Sequence, residues 1–188
     1  MYDFDPITHS DGDFIEVTIR YFLELMSSPQ NPLNKLMIER TGACYLIIYI
    51  VNQLFLSSND IIELGWLTKF DSVLFKAGDK SVSPALVEFA GSVNDNTSNR
   101  KNSNDIKELY VNMVKIRKDT GADKMFCMRC YDHQIFFEKL IKYDDTMYRI
   151  IDASMEVPNT PQKLLAYVKE ITSIFAWNHA VINQIAGL

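Results

Sequence analysis

Only three cysteines occur in 188 residues, Cys44, Cys127 and Cys130, an odd number that cannot all pair within the chain. Nothing places them in an oxidising compartment, so reduced thiols are expected. A glycine-rich phosphate loop is missing, as is the glycine pattern around a nucleophilic serine, which removes two large enzyme classes. Long apolar runs are missing too. The longest, Ala43 to Val51, continues through Asn52 and Gln53 to Leu56 and falls short of the roughly 18 to 20 residues of a membrane span. It reads as buried core, with no membrane partner. Met1 to Ser10 carries no basic stretch followed by an apolar one, hence no secretory signal, and the expected location is intracellular, cytoplasmic or nuclear. Positive charge is not in excess: 19 Lys and Arg stand against 24 Asp and Glu, for a net charge of -5. Bulk charge therefore does not hold the protein on nucleic acid, although a local basic face remains open.

What is present is the balance of one ordinary globular domain, 47% hydrophobic and 23% charged. Charge is uneven along it. Residues 1–66 hold three basic and nine acidic side chains, whereas 67–188 hold sixteen and fifteen, so a polyanion would meet the second part. A single domain over 1–188 is expected, with 1–34 a helical extension and 35–188 a mixed sheet core ending in a helix.

Spacing supplies the elements. Ile15, Ile19, Phe22, Leu23 and Met26 give Phe14 to Met26 one apolar helical face. Lys35 to Leu56 is apolar nearly all round, and its length favours a helix over a strand. Lys69 to Lys76 and Pro84 to Ala90 read as a hairpin across Ala77-Gly78-Asp79-Lys80. Ser92 to Asn104, rich in turn formers, reads as a surface loop. Asn104 or Asp105 then caps a helix with Ile106, Leu109, Tyr110 and Met113 on one face and Gly121 at its end. Three strands follow as a meander, Lys124 to Tyr131, His133 to Tyr143 and Thr146 to Val157, before a long helix opened by Thr160-Pro161. This order predicts an α/β (mixed α+β) fold, a central mixed sheet flanked by helices.

Two acids interrupt apolar strands in the hairpin: Asp71 in Phe70-Asp71-Ser72-Val73, and Glu88 in Leu86-Val87-Glu88-Phe89. Unpaired charge in an interior is costly, so such acids need a reason. If the hairpin aligns them, they share a face, and two convergent carboxylates are best explained by a hard divalent cation such as Mg²⁺. The alternatives are a basic partner for either acid, or a strand face open to water.

An apolar strand with Asp, a turn, an apolar strand with Glu-x-Lys, one helix before that often offers a Glu and one helix after: in this pattern the chain resembles the PD-(D/E)XK nuclease-like superfamily. The matching pieces are Asp71, Glu88 and, as the helix acid, Glu39 of Ile38-Glu39-Arg40-Thr41, over about residues 38–118. The resemblance implies a restriction-endonuclease-like core, Mg²⁺ held by Asp71 and Glu88, and hydrolysis of phosphodiesters. The lysine that would orient the attacking water is replaced by Ala90, and Lys76, Lys101 or Lys107 are the candidates to stand in for it, with Lys101 taken as the site residue. Without that lysine, the resemblance implies a degenerate domain that binds nucleic acid or protein, with an active magnesium-dependent nuclease as the alternative. The chain also resembles proteins of mucoralean fungi through Glu39-Arg40-Thr41, Val87-Glu88-Phe89-Ala90-Gly91, Asn99-Arg100-Lys101 and Val157-Pro158-Asn159-Thr160-Pro161, a likeness that brings no activity with it.

Three weaker signals complete the reading. From Arg100 to Lys124 seven basic residues outnumber four acids, enough to track a phosphate backbone or simply to solvate a helix face. Cys127-Met128-Arg129-Cys130 with His133 has ligand-like spacing, but residues three apart on a strand point to opposite faces, and two structural cysteines are expected. The aromatic segment Gln134 to Leu140 is assigned to core.

Overall fold

The computed structural model describes residues 5, 8–35, 37, 39–65, 72–90, 99–131 and 133–187, excluding the side chains of 39, 40, 90 and 99–102. Helix α1 (Ser10–Ser27) sets Phe14, Thr18 and Phe22 inward. Its one buried hydroxyl is satisfied twice: Thr18 Oγ1 donates to the Phe14 carbonyl at 2.7 Å and accepts from Tyr167 at 3.0 Å. The stretch expected to form one helix is α2 (Glu39–Ala43), a π-helical turn (Cys44–Ile48) and α3 (Tyr49–Phe55), ending in a 3₁₀ turn. Tyr21 of α1 stacks on Tyr49 with ring centroids 3.8 Å apart. Residues Thr41–Ser58, mean hydropathy 1.3, are long and apolar enough to cross a membrane by length and composition, because helical continuity reaches past the polar residues that end the uninterrupted run. Within the fold, Leu46, Ile47, Ile50, Val51, Leu54 and Phe55 of this stretch are buried in the core.

The strands are β1 (Ile62–Gly65), β2 (Ser72–Lys76), β3 (Ala85–Ala90), β4 (Lys124–Tyr131), β5 (Gln134–Tyr143) and β6 (Thr146–Glu156), in one sheet that follows chain order. All neighbours are antiparallel except β3 and β4, which run parallel and are joined through α4 (Asn99–Thr120). A parallel pair needs such a crossover. The predicted hairpin is present, Ser72 opposite Val87, with Gly78 at φ +78° in its turn and Asp79 accepting from the Ser81 amide and hydroxyl. The meander is present as well, and Asp144 occupies the left-handed region in its second turn.

Two expectations are corrected. Helix α4 begins at Asn99, so residues 99–104 of the supposed loop are helical. Asn and Ser cost only a few tenths of a kcal/mol in a helix, and one already anchored by Leu109 and Met113 extends backward cheaply. Strand β1 was not foreseen, because four residues between Asp60 and Gly65 carry no legible alternation.

Two cores flank the sheet. On its first face, Leu74, Val87, Phe89, Phe126, Met128, Ile135 and Phe137 pack against α1, α3 and α5 (Pro161–Ala186). On its second face, Val73, Leu86, Met125, Cys127 and Leu140 pack against Leu109 and Met113 of α4. Helix α5 opens as expected, Thr160 accepting from the Lys163 amide with Pro161 in the first turn. Its Trp177, 2% exposed, packs edge-on to Phe55, Phe126 and Phe137. The indole N–H donates at 3.0 Å to the backbone carbonyl of Glu138, where β5 and β6 slip register. A bulge withholds ladder partners from the local backbone, and the indole meets that deficit.

Candidate functional site

Alternation sorts the polar residues. Glu88 shares the second face with Leu86, and the parallel register sets it beside Arg129, which shares that face with Cys127. One strand further, Cys127 faces Glu138 and Arg129 faces Phe136. Glu88, Arg129 and Glu138 are thus near neighbours across three central strands, on the face that α4 covers.

Glu138 is the centre of this group and has no solvent exposure. A carboxylate so placed survives only if its lone pairs are filled. Arg149 of β6 donates twice, Nε at 3.1 Å and Nη2 at 2.6 Å. Arg129 Nη2 donates at 3.3 Å, the Tyr110 hydroxyl reaches in from α4, and the Cys127 thiol lies at 3.8 Å. Arg129 lies over the Phe136 ring at 4.3 Å and Arg149 over Tyr110 at 5.7 Å. With Glu88 beside Arg129, two acids stand against two guanidinium groups, and among the described residues Arg129 Nε is buried without a hydrogen-bond partner.

The acid–base consequences follow from crowding. Burial pushes the Tyr110 hydroxyl well above its ordinary value, and its bond to Glu138 adds to this. Burial, then the Glu138 charge, pushes the Cys127 thiol up as well, so it is an inert thiol at neutral pH. For Arg149 burial pulls the other way, but the hydrogen bond and charge of Glu138 outweigh it and hold the group above its usual range. Tyr110, Cys127 and Arg149 therefore all hold their protons more firmly than usual. The arrangement is an organised, charge-paired polar layer.

The residues singled out from sequence fall unevenly. Glu88 is half-buried in β3 and interacts with a neighbouring group. Asp71 lies outside the described residues; Ser72, next to it in sequence, opens β2 opposite Val87. Glu39 begins α2 and Lys101 lies in the first turn of α4, their side chains outside the description. Lys76 pairs with Ile62 and alternates with Leu74, which puts it on the first face, away from Glu88. Lys107 is exposed on α4. Cys127 and Cys130 belong to opposite cores, as their spacing required.

Sequence reasoning missed Glu138, Arg129, Arg149 and Tyr110. The signal was available: Glu138 interrupts an apolar strand just as Glu88 does, but the aromatic run around it drew the whole segment into the core. Among the described residues no group of three His, Cys, Asp or Glu side chains converges to hold a metal ion. Among the described residues, the group set beside Glu88 by the parallel register is the Arg129 guanidinium. No protein-family model, no curated protein and no solved structure matches this chain.

Proposed function

We propose that the chain is a PD-(D/E)XK-like domain with a degenerate site, serving as a nucleic-acid-binding module. The observation that carries the reading is the order of elements around one acid. A helix (residues 39–58) precedes the β2–β3 hairpin, α4 follows it, and β4 returns parallel beside β3, with Glu88 on the α4 face. Two residues after Glu88 stands alanine, and the cation next to it is Arg129. A guanidinium does not take a proton from water, and this one is buried against Glu138, so it does not replace the missing lysine.

Retention of the sheet without the base favours binding over cleavage. Lys107, Lys115 and Lys118 are exposed along α4, the helix that covers Glu88's face, and outnumber the exposed Glu108 and Asp119 there. Such contacts neutralise phosphates and weaken steeply with salt. The second reading, a working magnesium-dependent nuclease through Asp71 and Glu88, is favoured by the half-buried acid in an otherwise buried strand.

One experiment separates them. Single- and double-stranded DNA and RNA are incubated with the protein and Mg²⁺ or Mn²⁺, and binding and cleavage are read together for wild type, D71N and E88Q. The binding reading expects salt-sensitive retention without cleavage; metal-dependent cleavage lost in both variants would replace it with the nuclease, and neither binding nor cleavage would remove both.

A further inference from the structure

At the turn end of the β2–β3 hairpin, on the face that α4 covers, the two strands and the last turns of α4 leave a cleft of about 260 Å³. That is just under the roughly 300–1,000 Å³ of pockets for drug-sized molecules, so it suits a smaller ligand. Val73, Phe75, Leu86 and Ile116 form its apolar wall. The Phe75 ring is seated by Gly65 of the neighbouring strand, where a Cβ would lie 2.6 Å from it.

One polar group of the lining is out of keeping with its burial. Ser83 is 7% exposed, and its hydroxyl has no hydrogen-bond partner among the described residues. The Ser81 hydroxyl nearby already donates to Asp79, which leaves Ser83 as the hydroxyl of this turn with a bond still to make. A buried hydroxyl left unmatched in the wall of a cleft calls for a ligand that completes it.

The charges of the lining are of opposite sign and come from different elements. Lys80 lies in the hairpin turn close to Ser83, and Asp119 in the last turn of α4. Lys80 pairs with Glu63 at 2.7 Å, but at 67% and 42% exposure such a pair is weakly held and leaves the ammonium open to a second carboxylate. Asp119 forms no ion pair among the described residues, and it stands at the carbonyl, negative end of its helix, where a cation is favoured.

We propose that this cleft binds a free amino acid with an apolar side chain, as its zwitterion. The carboxylate meets the Lys80 ammonium and accepts from the Ser83 hydroxyl, the ligand's ammonium meets Asp119, and its side chain lies against Phe75, Leu86 and Ile116. An ion of one sign would match only one of the two charges. The site does not depend on any nucleic-acid role.

The test keeps the isobutyl body and removes one charge at a time. The ¹⁵N-labelled full chain is titrated with L-leucine, 4-methylpentanoate and 3-methylbutylammonium, following backbone amides by NMR. Saturable shifts at Ser83, Ile116 and Asp119 are expected for leucine, with affinity about fivefold above either analogue, the upper end for one partly exposed charge contact. D119N should bring leucine down to the level of 4-methylpentanoate. S83A should weaken leucine and 4-methylpentanoate alike and leave 3-methylbutylammonium unchanged. Equal affinity for the three probes, a leucine preference that survives D119N, an S83A variant that binds all three as wild type does, or no saturable shift at these residues overturns the proposal. Should a variant fail to fold, the ranking of the three probes on wild type still decides it.

Discussion

Replacing Glu138 with glutamine is the most demanding test of the packing described above. The side chain keeps its shape, but its charge is lost and one acceptor oxygen becomes a donor. Arg149 is 36% exposed in its side chain and can turn to water, so its share of the loss is discounted. Arg129 has no such escape at 5% exposure, and the Tyr110 hydroxyl loses the carboxylate that it serves. Breaking a buried pair from one side costs about 3–5 kcal/mol, because it strands the other charge. Taking the lower end, about 3 kcal/mol should appear as a lower urea midpoint at unchanged slope and a drop in Tm of roughly 6–12 °C for a chain of this size. Removing the stranded charge as well, in E138Q/R129M, should recover a good part of that loss, since apolar replacement of a buried pair is often near neutral. Thermal and urea melts followed by circular dichroism measure both. A single variant melting within about 2 °C of wild type, or a double variant no better than the single, would refute the account of Glu138 as the electrostatic centre of the second face.

Other outcomes follow from the same structure. W177F keeps the ring but removes the donor to the Glu138 carbonyl and some buried volume; a loss of about 2–4 kcal/mol is expected in chemical denaturation. T160A removes the cap of α5 and should cost about 1 kcal/mol in the same assay. Burial, with Tyr49 and Tyr45 adding to it, pushes the Tyr21 hydroxyl to about 12 from an ordinary value of 10.0. The unfolded chain therefore ionises first, binds fewer protons than the folded one between pH 10 and 12, and stability should fall through that window. Y21F should flatten part of the decline when urea midpoints are compared across it.

Much of the architecture could be read beforehand because its signals are local. Thr160-Pro161, the Gly78 turn and the Asp144-Asp145 turn each state a backbone choice in a few residues. The start of α4 could not be read this way, since its first turns are built from residues indifferent to helix and loop, and the decision comes from Leu109 and Met113 packing further on. The polar layer was opaque for another reason. Arg129, Glu138, Arg149 and Tyr110 are spread over forty positions, and only strand register and the placement of α4 bring them together. Glu88 was found because its strand is short and plainly apolar; Glu138 was hidden by its aromatic neighbours.

The π-helical turn at Cys44–Ile48 has the character of a one-residue insertion held inside an otherwise ordinary helix. Each residue of an α-helix advances by about 100° around the axis, so deleting one residue from this turn would restore regular winding and rotate everything before it by that angle relative to α3. Glu39 would then swing around the helix while Ile50, Leu54 and Phe55 kept their seats. The place of residue 39 around the axis is thus encoded by the length of the chain between Ala43 and Tyr49 as much as by its own position, and a single codon lost or gained would shift it only by reseating Leu46 and Ile47 in the core.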